Sequence, residues 1–314
     1  MYQFTDRFGK AKMTKVLLEE DRQKMDVAES SFRDIMKSQY VSADIESSVE
    51  YMDKPIPLQN FYDGQGVFVT GATDFIGKLL IEKLLRECPG IIYNYLLTRT
   101  KKGKSMFQRT KELIEDSLFH TLREKQPTFQ NRIVTIGGDS SLPKLGISKI
   151  DKATLICEVS IVFNVAATVK FNETIKLATA INVQSGSDKI NKSKEMSKLK
   201  ISYLSFVYLH CQDLSMKEFS FIHVSTAHAN FLQNPIEEKF YDPPIDDDRS
   251  INLTNSMNKR LLDIFIITIL PHCTLLGIWS NSYLYTKSVA ENIIKKHVGS
   301  IPIGIFRSGI GCLR

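Results

Sequence analysis

Cysteine is scarce in this sequence, and its placement is unsuited to cross-links or to metal binding. The 314 residues contain five cysteines, an odd number, and no two of them stand in a Cys-x-x-Cys pair. A disulfide framework needs paired cysteines, and a structural zinc site usually draws on closely spaced ones. We therefore expect no metal site and a reducing, intracellular compartment.

A secretory signal and an uninterrupted membrane span are also missing. The first ten residues mix acidic and basic side chains and have no apolar core, which is unlike a signal peptide. Residues 261–279 are strongly apolar, but Asp263, Pro271 and His272 interrupt them. Because an interior proline breaks a helix and a span needs about 20 apolar residues, a buried helix followed by a loop is favoured. We expect no clear membrane anchor in this chain.

The composition is that of a folded protein with a modest excess of positive charge. Hydrophobic residues make up 43% and charged residues 24%, which is compatible with a sizeable core. Residues 1–54 are polar and hold nine basic and eleven acidic side chains, so the net charge of +6 leaves +8 on residues 55–314. This excess suits an anionic cofactor or a CoA ester, although solubility explains it equally well, and we expect no nucleic-acid partner. The sequence predicts a polar N-terminal extension over 1–54 and one domain over 55–314.

Short apolar runs alternate with segments of helical periodicity from residue 66 onward. The helical spacing is clearest from Lys78 to Arg86, where apolar side chains recur on one face. Strands that alternate with helices form a parallel sheet covered on both faces. The sequence therefore predicts an α/β fold with a Rossmann-like, doubly wound parallel sheet. The six predicted strands are Gly66–Thr70, Ile91–Leu97, Arg132–Ile136, Val159–Val165, Phe219–Val224 and Ile303–Phe306.

A glycine-bearing turn joins the first predicted strand to the first predicted helix, as in NAD(P)-binding sheets. Such a turn lets the backbone approach a pyrophosphate, with Gly71 making the tight turn and Gly77 allowing the helix to pack close to the strand. Asp74 is unfavourable in this role, because its carboxylate brings negative charge towards the phosphates. The residues expected to contact the cofactor here are Thr70, Gly71, Thr73, Asp74, Phe75, Ile76 and Gly77.

Basic residues stand at the end of the second predicted strand, where NAD-dependent enzymes often place an acid to hold the ribose hydroxyls. Arg99 is followed by three lysines within residues 101–104. A planar guanidinium can grip a 2′-phosphate, so NADP(H) is favoured over NAD(H). A solvated basic loop is the equally weighted alternative. Asp139, after the third strand, is a candidate for contact with the adenine ring.

Tyr283 and Lys287 form a Tyr-x-x-x-Lys pair in a segment of helical character. Residues four apart share one helix face, and an ammonium near a phenol lowers its pKa from about 10, which suits proton delivery to an oxygen that receives a hydride. Ser225 and Thr226 end the fifth predicted strand, at the sheet edge where ligands bind. The Tyr-x-x-x-Lys pair alone is a weak motif. The hydroxyls of Ser225 and Thr226, taken alone, would fit a helix-capping role better than a catalytic one.

The order of these features resembles that of the extended short-chain dehydrogenases/reductases and, more closely, that of the alcohol-forming fatty acyl-CoA reductases. The run Ala-Ala-Thr-Val-Lys-Phe from Ala166 to Phe171 is the most specific part, because the sugar-modifying relatives lack it. The resemblance covers about residues 55–311. The other matching stretches are Phe61–Gly64, Val69–Thr73, Tyr95–Arg99, His223–Ala227 and Asn281–Lys287.

The resemblance implies NADPH-dependent reduction of a long-chain fatty acyl-CoA to a fatty alcohol through an aldehyde. It implies that Thr226, Tyr283 and Lys287 form the catalytic group, with Ser225 as the alternative hydroxyl. It also implies that Lys287 holds the nicotinamide ribose and that Ala166 contacts the cofactor. It also implies membrane association of full-length members, at the peroxisomal or endoplasmic reticulum membrane.

Four features depart from the family pattern. Asp74 replaces the middle glycine of the turn, and Ser308 stands where the family has proline. Residues 201–218 resemble an insertion, and the sequence ends at Arg314, before the family's usual C-terminal region. Two alternatives therefore stay open. One is an inactive or fragmentary relative with weak cofactor binding, and the other is an extended short-chain reductase that acts on sterols or sugar nucleotides.

Overall fold

The computed structural model describes residues 57–199, 220–258, 262, 279 and 281–309. The predicted N-terminal extension, the predicted insertion at 201–218 and most of the apolar segment 261–279 lie outside these residues. Within the described ranges, no helix is both long enough and apolar enough to cross a membrane.

Strands and helices alternate along the described chain. The strands are β1 (Gly66–Thr70), β2 (Tyr93–Thr98), β3 (Ile133–Gly137), β4 (Ile161–Asn164), β5 (Phe221–Thr226) and β6 (Ile303–Ser308). The first helices are α1 (Pro57–Tyr62), α2 (Phe75–Glu87), α3 (Met106–Glu115), α4 (His120–Lys125) and α5 (Lys149–Glu158). They are followed by α6 (Ile175–Ala178), α7 (Ser185–Glu195), α8 (Asp247–Ser256) and α9 (Ser282–His297). A π-helical segment, Thr179–Gln184, joins α6 to α7.

All six strands form one parallel sheet in the order β3-β2-β1-β4-β5-β6. The chain winds outward in both directions from the centre, which confirms the predicted doubly wound fold. In the register of the sheet, Thr70 lies between Leu97 and Asn164, and Asn164 lies beside His223. The winding reverses between β1 and β4, and in open α/β sheets this reversal opens a crevice that binds ligands.

Apolar clusters cover both faces of the sheet, because successive side chains of a strand point to opposite faces. On β1, Phe68 packs into one cluster, whereas Val67 and Val69 pack into the other. Leu85 of α2 joins the cluster of Val67, and Val289 of α9 joins that of Phe68. The sheet is therefore buried between helices, and its carboxyl edge carries the residues predicted to be functional.

Candidate active site

The glycine turn follows β1 at the carboxyl edge of the sheet and leaves no room for a side chain at two positions. Gly71 has a φ of 76°, in the left-handed region, and a Cβ there would lie 2.7 Å from the backbone nitrogen of Ala166. A Cβ on Gly77 would lie 2.1 Å from the carbonyl oxygen of Gly71. The backbone of the turn is thus held close to the chain after β4 and to α2, which is the arrangement that accepts a pyrophosphate.

Thr70 lies beneath this turn and connects β1 to β4. Its fully buried hydroxyl accepts a hydrogen bond from the Ala166 nitrogen at 3.2 Å and donates one to Oδ1 of Asn164 at 3.4 Å. The structure therefore brings Thr70 and Ala166 together, as residues of one cofactor site should be. The Thr70 side chain has no exposed surface, so its contribution is to hold the turn in place.

Asp74, Phe75 and Ile76 lie exposed where α2 begins. The helix begins three residues earlier than the spacing of apolar residues predicts, because Asp74 occupies the N-cap position. The Asp74 carboxylate makes no capping hydrogen bond. A negative charge therefore stands beside the turn, at the positive end of the α2 dipole.

Arg99 and Asp139 meet across the ends of β2 and β3. Nη1 of Arg99 donates to Oδ2 of Asp139 at 3.1 Å, and Asp139 also accepts from the backbone and the hydroxyl of Ser141. Burial acts to raise the pKa of Asp139, but the hydrogen bonds from Ser141 and Arg99 outweigh it and lower that pKa below its usual value. The two predicted cofactor contacts thus form one ion pair at the edge of the sheet.

Arg109 of α3 was not predicted as a site residue, yet it lies between the two predicted parts of the cofactor site. Its Nη2 donates to the hydroxyl of Thr73 at 2.6 Å, and its Nη1 donates to the carbonyl oxygen of Arg99 at 2.8 Å. The guanidinium thus joins the glycine turn to the end of β2. No local pattern distinguishes Arg109 from the other basic residues of this part of the sequence, because its partners lie in different elements.

Thr226, Tyr283 and Lys287 come together at the carboxyl edge of β5. The phenol of Tyr283, on the first turn of α9, lies near the side chain of Thr226, which acts to lower the phenol's pKa. Lys287 lies one turn further along and donates to the carbonyl oxygen of Val224 at 2.7 Å. The structure therefore assembles the three residues that the sequence suggests for catalysis.

The pKa of Tyr283 is shifted in the direction opposite to the one that its spacing from Lys287 predicts. Burial raises the pKa of Tyr283, and the nearby Thr226 partly opposes the rise, so the expected lowering by Lys287 is not found. Burial lowers the pKa of Lys287 to about 8, against the effect of the Glu291 carboxylate. Lys287 does not lower the pKa of Tyr283 because its ammonium is directed at a backbone carbonyl and not at the phenol. A phenol with a raised pKa remains protonated at neutral pH and can donate its proton.

Ser225, the alternative catalytic hydroxyl, has a different partner. Its Oγ donates to Oε1 of the buried Glu291 at 2.6 Å, and the partly exposed Arg307 also donates to this carboxylate. Thr226 is thus the hydroxyl that lies near Tyr283, and it donates to the carbonyl oxygen of Ser308 at 3.2 Å. Glu291 was missed because four-residue spacing after a lysine is too common in helices to be informative alone.

Exposed apolar side chains border Tyr283. The Phe171 ring lies 6.0 Å from the Tyr283 ring, centroid to centroid, and is 65% exposed. Val169, in the same loop, is 66% exposed, and Phe231 beyond β5 packs edge-on against Trp279 at 5.2 Å. The exposed ring of Phe171 thus places apolar surface beside Tyr283, which suits a hydrocarbon chain. Among the described residues, no cluster of acidic, histidine and cysteine side chains could hold a metal ion.

Comparisons with known proteins identify the family of the chain. Residues 69–312 match a family of NAD-binding domains described as male sterility protein. The chain is 37% identical over 254 residues to a protein named fatty acyl-CoA reductase wat from Drosophila melanogaster, which covers 81% of this chain and 44% of that protein. It is 33% identical over 255 residues to fatty acyl-CoA reductase 1 from Homo sapiens, with 81% and 45% covered. The chain thus spans less than half the length of these relatives.

Solved structures that resemble the chain include a terminal reductase domain from the myxalamid biosynthetic pathway. The match has a TM-score of 0.49 at 21% sequence identity and covers 79% of this chain and 49% of that one. A reductase domain of a nonribosomal peptide synthetase from Mycobacterium tuberculosis has a TM-score of 0.47 at 20% identity, with 79% and 48% covered.

Proposed function

The chain belongs to the male sterility protein family of NAD-binding domains, and we propose that it reduces a long-chain fatty acyl-CoA with NADPH to a fatty alcohol, through an aldehyde. The observation that carries this proposal is the placement of Thr226, Tyr283 and Lys287 together at the carboxyl edge of β5, with Lys287 one helical turn after Tyr283 and bonded to Val224. The names of the relatives, all reductases of fatty acyl-CoA, support the choice of substrate.

The residues around the glycine turn fit a dinucleotide. Gly71 and Gly77 provide a turn whose tight packing excludes a Cβ at either position, at the N-terminus of α2. Arg99 and Arg109 supply two guanidinium groups at the end of β2, where the 2′-phosphate of NADPH would be recognised. When bound, the reduced nicotinamide supplies the hydride.

Side chains of this protein donate the proton and position the carbonyl and the cofactor. Tyr283 holds its proton on the phenol oxygen and gives it to the oxygen of the reacting carbonyl. Thr226 lies near the same phenol, and a hydroxyl there can hold the carbonyl oxygen in reach. Lys287 places a positive charge beneath this group, where it would hold the ribose of the cofactor.

The surroundings of the catalytic group favour an acyl thioester over a sugar nucleotide. Phe171 presents exposed apolar surface beside Tyr283, which suits a hydrocarbon chain better than the hydroxyls of a sugar. The excess positive charge of residues 55–314 suits the phosphates of CoA. We further propose that the protein works at a peroxisomal or endoplasmic reticulum membrane, a location that rests on the family resemblance and that imaging of the tagged protein would test.

The direct test is turnover of the purified chain. Palmitoyl-CoA and NADPH should yield hexadecanol, detected by mass spectrometry, with two NADPH oxidised per alcohol formed. A sterol ketone and a UDP-sugar serve as competing substrates, and faster turnover of either would contradict the proposed substrate class. NADPH binding without any acyl-CoA turnover would support the alternative of an inactive relative.

A further inference from the structure

Arg307, near the end of β6, connects helix α9 to the chain that follows β5. Its Nε and Nη2 donate to the carboxylate of Glu291 on α9 at 3.0 and 2.8 Å. Its Nη1 and Nη2 also donate to the backbone carbonyl oxygens of Glu237 and Lys239, at 3.3 and 2.9 Å. The guanidinium therefore uses all three of its nitrogens, and its fork holds two separate parts of the chain together.

The carboxylate of Glu291 is a fixed anchor for this connection. Glu291 is buried, and besides Arg307 it accepts from the hydroxyl of Ser225 at 2.6 Å and from the side-chain amide of Asn230 at 3.1 Å. Hydrogen bonds to an ionised carboxylate are strong and directional. The segment after β5 is thus tied to α9 at its start, through Asn230, and again at Glu237 and Lys239, through Arg307.

The tied segment exposes an unusual amount of apolar surface. All ten residues from 231 to 240, which we call the apolar loop, are exposed. Single exposed apolar side chains are normal, but several in one short loop mark a binding surface. Four of the ten are large and apolar, and they are between 37% and 50% exposed: Phe231, Leu232, Ile236 and Phe240.

The apolar loop starts next to the catalytic group. A single short turn, Ala227–Asn230, separates it from Thr226 at the end of β5. Phe231 packs edge-on against Trp279, with ring centroids 5.2 Å apart, and Trp279 comes three residues before the start of α9. Tyr283 lies on the first turn of α9. The first residues of the loop therefore lie at the end of α9 that carries the proposed proton donor.

We propose that the apolar loop binds the hydrocarbon chain of the acyl thioester, and that Arg307 is the positioning residue that holds this loop in place. The inference rests on the proposed function, because it assigns a place to the acyl chain of that substrate. A loop that is already held does not have to be ordered when the ligand binds, which favours affinity. The loop contains two glutamates and one lysine, so an anionic lipid surface would repel it, whereas an uncharged hydrocarbon chain would not.

Trp279 makes the proposal testable without turnover, because it is the single tryptophan of the chain and packs on the first residue of the loop. The purified chain is titrated with palmitoyl-CoA below its micelle concentration, with butyryl-CoA and with CoA, all in the presence of NADP⁺ so that no reduction occurs. We expect palmitoyl-CoA to change the Trp279 emission saturably and CoA to leave it unchanged. Calorimetric titration gives the dissociation constants of the two thioesters.

Two variants test the loop and its anchor. Leu232→Ala should raise the dissociation constant of palmitoyl-CoA by roughly three- to tenfold and leave that of butyryl-CoA unchanged, because it removes apolar surface that only the long chain reaches. Ile92→Ala is the matched control, since Ile92 is 51% exposed against 50% for Leu232 but directly precedes β2, at the opposite edge of the sheet. Arg307→Lys keeps the charge beside Glu291 and loses the fork, so it should weaken palmitoyl-CoA binding several-fold more than butyryl-CoA binding. A merely structural role for Arg307 would weaken both equally.

The proposal is overturned if palmitoyl-CoA leaves the Trp279 emission unchanged, or if Leu232→Ala has no more effect than Ile92→Ala. A response to phosphatidylcholine vesicles but not to monomeric palmitoyl-CoA would assign the loop to a bilayer, and a response to protein concentration alone would assign it to a contact between copies; both outcomes reject the proposal. The wild-type and Leu232→Ala titrations decide even if Arg307→Lys does not fold. Turnover of palmitoyl-CoA without a Trp279 response would reject this inference and keep the proposed function, whereas a saturable response without turnover would do the reverse.

Discussion

The phenol of Tyr283 lies near the side chain of Thr226, which brings the N-terminal turn of α9 to the carboxyl end of β5. Neither residue is informative alone, because hydroxyls at strand ends and tyrosines near lysines are both common. Their closeness at the carboxyl edge of the sheet, near the crevice of a doubly wound fold, places a proton donor where ligands bind in such sheets.

Tyr283→Phe should abolish most of the reductase activity. The change removes the proton donor while it keeps the ring that packs near Phe171, so we expect kcat to fall by roughly 10²- to 10⁴-fold. Cofactor affinity should change little, since the phenol contributes little binding surface. Initial rates with palmitoyl-CoA, together with NADPH titration of the same preparations, test both statements. Retained turnover would show that another group supplies the proton.

Thr226→Ala and Ser225→Ala should have unequal effects. Thr226 lies near Tyr283, so its loss should cost roughly 10²-fold in kcat, as for other side chains that stabilise a reacting oxygen. Ser225 donates to Glu291, so its loss should mainly lower the melting temperature by a few degrees. Rates and thermal melts of the two variants distinguish these roles, and a larger rate loss in Ser225→Ala would reverse the assignment.

The sequence predicts the fold more completely than it predicts the site. Most strands are short runs rich in apolar residues, so their positions can be read directly from the sequence, as for Val67 to Val69. The Tyr283–Lys287 spacing and the glycine turn are likewise local. Arg109 and Glu291 act through partners on other elements, and no short pattern encodes such contacts. The pKa of Tyr283 depends on burial, which spacing alone does not reveal.

Arg109→Ala should weaken NADPH binding more than NADH binding. Arg109 joins the glycine turn to the end of β2, next to Arg99, and a charge-assisted bond to the 2′-phosphate is worth about 1.5–3 kcal/mol, or roughly ten- to a hundredfold in affinity. Arg99→Ala should reduce the same preference, so the ratio of NADH to NADPH dissociation constants should fall in both variants. Lys111→Ala, an exposed residue of the same helix, is the control. An unchanged ratio in Arg109→Ala would exclude Arg109 from cofactor recognition.

Lys189→Met should stabilise the protein, and more so at low pH. The pKa of Lys189 is about 7 in the folded protein, against 10.5 in the unfolded chain. Between these values the unfolded state binds more protons, so the wild-type protein gains stability from Lys189 as pH rises from about 7 to about 10. Below about pH 7 the folded protein carries the full free-energy cost of burying Lys189 as a charged group. The melting temperature of Lys189→Met should therefore exceed that of the wild type by more at pH 6.5 than at pH 9.5. An equal difference at both values would show that Lys189 is not neutral in the fold.

Asp74→Gly should tighten NADPH binding. The Asp74 carboxylate is exposed beside the glycine turn and makes no capping hydrogen bond, so it adds repulsion towards a pyrophosphate without a clear stabilising contact. Solvent screens this repulsion, and we expect a gain in affinity of up to roughly tenfold, measured by calorimetric titration. The gain should shrink at high salt, because exposed charges are screened there.

Asp74→Asn is the control that removes the charge and keeps the shape. If Asp74→Gly gains affinity and Asp74→Asn does not, the side chain obstructs the turn by its size. If neither variant gains, Asp74 is compatible with cofactor binding, and the departure from the family's glycine no longer argues for an inactive relative.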